Sequence, residues 1–142
     1  MKRIRTAEEF DALSVGTLPG LIGMNVVAVE EGRVTSRLAV RAELMAPTGY
    51  LHAATVVALA DTTAGYGTWA HLPARASGFT TIELKSNFIG TAREGAVACE
   101  ATLIHGGRST QVWDARVEVE GGGKTIALFR CTQLILYPEA GA

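Results

Sequence analysis

An α+β fold, one curved antiparallel sheet with a single long helix packed on it, is predicted from three features of the sequence. Strand-like segments fill residues 25–40 and most of residues 79–136. Between them, residues 52–69 form one long apolar segment, too long for a strand and rich in alanine. The joints between strand segments are short and contain glycine, as hairpins joining antiparallel neighbours require. With 142 residues, 48 % of them apolar and 19 % charged, the chain has the size of one domain and enough apolar material for a core. That balance excludes intrinsic disorder. The whole of 1–142 is expected to form one domain, with a helical lead-in over 1–20 and a tail over 137–142.

The elements follow in order. Thr6-Ala-Glu-Glu9 reads as a capping box opening a short helix through Leu13, with Phe10 and Leu13 on its buried side. Gly16, Pro19 and Gly20 are expected to end it. Asn25–Glu30 and Arg33–Val40 form a hairpin about a turn at Glu31-Gly32, with Val34, Leu38 and Val40 inward and Arg33, Thr35, Arg37 and Arg41 outward. Pro47, Thr48 and Gly49 make a turn before the long helix starts near His52. Four strands follow: Phe79–Phe88, Ala96–Ile104, Ser109–Glu120 and Thr125–Leu136. The third alternates in the manner of a sheet with one wet face.

Charge and cysteine content narrow the function. A net charge of −1 gives no electrostatic reason for nucleic acid or an anionic membrane as partner. Cys99 and Cys131 have no Cys or His close in sequence, which speaks for reduced core thiols in a cytoplasmic protein rather than a disulfide framework or zinc site. Leu51–Ala60 falls short of the ~20 apolar residues of a membrane span. No apolar segment follows the basic start of the chain to make a signal peptide. His71 and His105 read as surface residues without metal partners, and Trp69 and Trp113 as core or interface anchors. Gly106-Gly-Arg-Ser109 is a hairpin turn before it is a phosphate cradle.

Asp61 is the chemically informative residue. From Leu44 to Ala74 it is the only side chain charged at neutral pH, and it lies inside a helix that is apolar on almost every side and expected to be buried all round. A desolvated carboxylate with no cation nearby has a raised pKa and suits general-base or nucleophilic work. The structural alternative is an acid bonded to Thr62, Thr63 or a backbone group, or one reaching water. At the helix start, Gly49, Ala53 and Ala54 leave the first backbone N–H groups unshielded, and such donors can hold an oxyanion. Ala53 and Asp61 are separated by about 12 Å of helix rise. If they act on one carbon they come from two chains, which predicts a symmetric dimer.

The segment Gly49-Tyr-Leu-His-Ala-Ala-Thr-Val-Val-Ala-Leu-Ala-Asp-Thr-Thr-Ala-Gly65 resembles the G-x-x-H-G-G-x(6)-A-D-T-x-x-G signature of hot-dog-fold acyl-coenzyme A thioesterases of the phenylacetate-degradation type. The following strand Thr80–Phe88 and the later Gly107-Arg-Ser109 continue the likeness over roughly residues 20–136. The resemblance implies a hot-dog fold and hydrolysis of an acyl-coenzyme A thioester, with coenzyme A part of the substrate and no metal or other cofactor. It implies Asp61 as base or nucleophile, the Ala53 N–H as oxyanion donor, His52 as organiser of the loop entering the helix, and Thr81 as the residue positioning water. Gly49, Tyr50, Ala54, Asn87, Arg93, Arg108 and Ser109 fall at positions implied to approach the substrate. The implied assembly is a homodimer extending to a homotetramer. Two departures stand out: Ala53 and Ala54 replace the family's glycines, and Ala46 stands where many relatives carry Asn or Gln. The second motivates an alternative, a non-catalytic protein binding acyl-coenzyme A or an aromatic ligand. A hydratase on the same fold lacks its expected acid–histidine pairing.

Overall fold

The computed structural model describes residues 4–141; most of the basic run at the start of the chain lies outside them, as does the last residue of the tail. Helix α1 spans Ala7–Ser14 and starts with the expected capping box, in which Thr6 accepts from the Glu9 N–H while the Glu9 carboxylate accepts from the Thr6 N–H. It ends at Ser14, close to the expected end, and Gly16 turns at φ 76°; Pro19 and Gly20, expected only to break the helix, fall within a second short helix, α2, over Leu18–Ile22. Proline is tolerated in a first turn, where no N–H is needed. Gly20 lets α2 approach α1, because a Cβ there would lie 2.3 Å from the Ser14 carbonyl oxygen. Strands β1 (Met24–Glu30) and β2 (Arg33–Ala39) form the hairpin, and a 3-10 turn at Ala42–Leu44 leads into the long helix α3, Ala53–Ala70. Strands β3 (Gly78–Phe88), β4 (Ala96–Gly106), β5 (Thr110–Val119) and β6 (Thr125–Leu136) complete the chain.

All six strands pair antiparallel in the order β1-β2-β4-β5-β6-β3. The sheet wraps around α3, giving the α+β hot-dog architecture. Val34 and Leu38 of β2, Val97 and Cys99 of β4, Trp113 and Val117 of β5, and Phe129 and Cys131 of β6 form the buried inner face. Close approach is set by small helix residues: a Cβ on Gly67 would sit 2.6 Å from the fully buried Trp113 ring, and Gly65 faces Phe79. The outer face carries charge in pairs such as Arg37–Glu120 and Arg130–Asp114. These are exposed pairs, and solvent screening leaves them little weight in the stability of the fold. The core supplies most of the stability.

Helix α3 departs from the expectation of burial on every side. Thr55, Val56, Leu59, Ala60 and Thr63 to Thr68 are buried, while Ala53, Ala54, Val57, Ala58, Asp61 and Thr62 form a stripe that remains accessible. The strand β3 ends the sheet, and its far edge is unpaired among the described residues. The turn histidine His71 is not a free surface residue either: its Nε2 accepts from the Gly32 N–H at 2.8 Å, and its Nδ1 lies 2.7 Å from the Gly67 carbonyl oxygen.

Candidate active site

The start of α3 is organised by His52. Its backbone is extended (φ −64°, ψ 137°), and its Nδ1 accepts from the Ala54 N–H at 2.9 Å, the work usually done by a Ser, Asp or Asn cap. The Ala53 N–H has no acceptor among the described residues, and Ala53 is exposed. One free donor therefore points outward at the positive end of an 18-residue helix. Around it, Gly49 turns at φ 91°, Arg93 donates to the Gly49 carbonyl at 3.4 Å, and the Arg93 guanidinium lies 5.6 Å from the centre of the Tyr50 ring. A cleft of about 370 Å³ opens here between Tyr50, Ala53, Phe88 and Ile89. On the other side of the helix start, Leu18, Leu21, Ile22, Leu44, Ala54 and Ala58 line a second, more apolar cleft of about 500 Å³.

Two turns further along α3, Asp61 projects from the accessible stripe, yet its Oδ1 is buried and has no hydrogen-bond partner. Burial raises the carboxyl above its ordinary range, and the Thr81 hydroxyl beside it would oppose that rise only by turning its proton to the carboxylate. Thr81 has one proton, and it goes to Gln133 Oε1 at 2.8 Å. The Cys131 thiol beside them is pushed up to about 12, chiefly by burial and then by the Asp61 charge, so it stays neutral. Cys99 is similarly inert under Thr63 and Ser36.

The predicted residues thus form three groups in one protomer. His52, Ala53, Ala54, Gly49, Tyr50 and Arg93 gather at the start of α3; Asp61 and Thr81 meet at its middle. Arg108 and Ser109 sit in the β4–β5 turn near the far end, where Gln111 Nε2 reaches the His71 carbonyl. Asn87 stands apart from all three. It pairs with Leu128 and lines a shallow groove on the outer face with Lys85, Asp114 and Arg130. Tyr66 lies in the core, stacked on Phe10 and bonded to Ser14. Sequence reasoning missed Gln133, although a signal existed: it alternates in phase with the core residues Phe129, Cys131 and Ile135.

The model of the thioesterase superfamily matches residues 48–126, more than half the chain. The chain belongs to the thioesterase superfamily. The matched span carries the α3 start, Asp61 and Thr81 together. A 1,4-dihydroxy-2-naphthoyl-CoA hydrolase of Listeria monocytogenes is 33 % identical over 111 residues, 78 % of this chain and 89 % of that protein. The crystal structure of a mutant of thioesterase PA1618 of Pseudomonas aeruginosa superposes with a TM-score of 0.89 at 25 % identity, covering 96 % of this chain and 98 % of that one. The PaaI protein of Escherichia coli, from the phenylacetic acid degradation operon, shares the fold: TM-score 0.76 at 22 % identity, over 91 % and 87 % of the two chains. Membership in this superfamily supports a hydrolytic function on thioesters of the acyl-CoA kind. No helix among the described residues is long and apolar enough to cross a membrane.

Proposed function

We propose that the protein is an acyl-CoA thioesterase that uses Asp61 as its general base or nucleophile. The observation that carries this reading is the Asp61 Oδ1, desolvated, without a partner, and on the one open stripe of an otherwise buried helix. As a base, Asp61 takes a proton from water, and the resulting hydroxide attacks the thioester carbonyl carbon. The Ala53 N–H receives the oxyanion, the C–S bond breaks, and the thiolate of coenzyme A recovers the proton from Asp61. As a nucleophile, Asp61 forms a mixed anhydride that water then opens.

The distance along α3 requires the Ala53 donor to come from a second copy of the chain. A partner would cover the stripe at Ala54, Val57 and Ala58 and the unpaired edge of β3, where Ile82, Leu84 and Phe88 are exposed. The same pairing would bring the Arg93 cluster of one copy toward Asp61 of the other. We assign a homodimer with two equivalent sites, extended to a homotetramer through other surfaces. The two cysteines are free thiols, in keeping with a cytoplasmic setting.

Thiol release over short, long and aromatic acyl-coenzyme A substrates tests the reading, with aromatic acyl groups first because the Listeria relative acts on a naphthoyl thioester. Asp61→Asn is expected to keep the fold and lose about 10²–10⁴-fold in turnover. Retained turnover in that variant removes Asp61 from the mechanism. Ala46, at a position where the resemblance implies Asn or Gln, favours a second reading, a binding protein without turnover. Tight acyl-coenzyme A binding with no thiol release identifies that case.

A further inference from the structure

Gln133 is fully buried, as is its neighbour Gln111 on β5. A buried amide is costly unless its polar atoms are bonded, and the two residues differ in how they meet that demand. Gln111 has two strong structural bonds: its Oε1 accepts from the Trp113 indole N–H and its Nε2 donates to the His71 carbonyl, both at 2.9 Å. Gln133 does little for the fold. Its Nε2 reaches only the Cys131 sulfur at 3.4 Å, and its one strong bond is the 2.8 Å bond it accepts from Thr81. Thr81 and Gln133 are register partners across β3 and β6, which holds that bond on the inner face beside Asp61.

We propose that Gln133 is a positioning residue for hydrolysis: by taking the Thr81 proton it presents that hydroxyl to the cleft as an acceptor and denies Asp61 a competing donor. A water at the site then finds two acceptors, the Asp61 Oδ1 and the Thr81 Oγ1, and it is oriented to give its proton to Asp61. The inference rests on the proposed role of Asp61. The groups that face Asp61 are few. Besides Thr81, the Cys131 thiol on β6 is held neutral. Helix α3 offers only His52 and His71, at its two ends, and Tyr66, which is bonded to Ser14. On β4, Cys99 lies under Thr63 and Ser36. Glu83 and Lys85 of β3, Glu100 of β4, Asp114 and Arg116 of β5, and Arg130 of β6 belong to the outer face, as do the paired arginines Arg33 and Arg37 of β2.

Gln133→Met and Thr81→Val, singly and together, test the proposal through the pH profile of kcat in the full-length protein. In Gln133→Met the freed Thr81 proton turns to Asp61 and favours its charged form. The acid limb is therefore expected to move to lower pH, with kcat reduced about tenfold at its plateau and KM unchanged. In the Thr81→Val background the same substitution should change neither quantity, because the remaining link, through the neutral Cys131 thiol, brings no proton or charge to the carboxylate. Gln133→Asn, too short to reach Thr81, should reproduce the Gln133→Met shift and serves if the methionine variant does not fold. An acid limb that stays put, or moves upward as it would if the amide donated to Thr81 instead, overturns the proposal. So does an equal effect with and without Thr81. Asp61→Asn separates the two levels: if it abolishes turnover while the Gln133 variants behave as wild type, only the positioning role fails.

Discussion

Ala53→Pro should remove the proposed oxyanion donor without removing the helix that carries it. Ala53 is the first helical residue of α3, the position at which proline is favoured. The residue before a proline must be extended, and His52 already is, at φ −64° and ψ 137°. No hydrogen bond is sacrificed, since the Ala53 N–H has no acceptor among the described residues and the Ala54 N–H remains capped by His52 Nδ1. A compatible proline stabilises by about 0.4–1 kcal/mol through the unfolded chain. At about 2.1 cal/mol/K per residue, that is a rise of roughly 1–3 °C in Tm for a chain of this length. Loss of one oxyanion donor removes about 2.7–4 kcal/mol of transition-state stabilisation, a fall of about 10²–10³ in kcat. Thiol-release kinetics and a thermal melt read both quantities, and Ala53→Gly, which keeps the N–H, should stay within a few-fold of wild type. A proline variant that melts at or above the wild-type temperature and turns over normally would refute the assignment of this donor.

Asp61→Asn should also change stability with a defined pH dependence. Because burial raises the carboxyl above its ordinary 3.8, the stability this group contributes is present below that value and lost as pH rises through the folded value. The Asn variant, which cannot ionise, should match wild type in acid and exceed it at neutral pH, seen as a higher Tm. A lower Tm at pH 7 contradicts that sign. Gly67→Ala places a Cβ 2.6 Å from the Trp113 ring and should cost about 1–3 kcal/mol by overpacking. Gly78→Ala meets nothing within 4 Å and should stay within about 0.5 kcal/mol of wild type, so equal melts for the two variants would refute the packing account.

Local chemistry made most of the fold legible. The capping box at Thr6, the glycine turn at Gly32 and the strand alternation each report on a few adjacent residues, and each recurs in the structure at the expected place. Where the sequence misled, the decisive partner was distant. Pro19 and Gly20 carry strong breaking tendencies, but Pro19 sits in the first turn of α2 and Gly20 is needed against Ser14, so the pair lies inside a second helix after α1 has ended. The apolar surround of Asp61 suggested burial on every side. One protomer has too few layers for that: a single sheet covers one side of α3 and leaves the stripe bearing Asp61 open.

The candidate site depends on a feature that alternation cannot reveal. Continued uninterrupted from Phe79, the period of two would place Glu83, Lys85 and Asn87 on the same face as Thr81. A second carboxylate and a cation would then stand near Asp61. The strand instead carries a bulge between Thr81 and Glu83: two steps on β3 match one on β6, from Gln133 to Thr132. One extra residue exchanges the faces of everything beyond it. Leu84 and Phe88 turn to the inner side opposite Cys131 and Ala127, while Glu83, Lys85 and Asn87 go outward. The bulge thus accounts for Asn87 standing apart from the site. It also keeps the surroundings of Asp61 apolar, with neither a like charge to repel it nor an ammonium to quench its basicity.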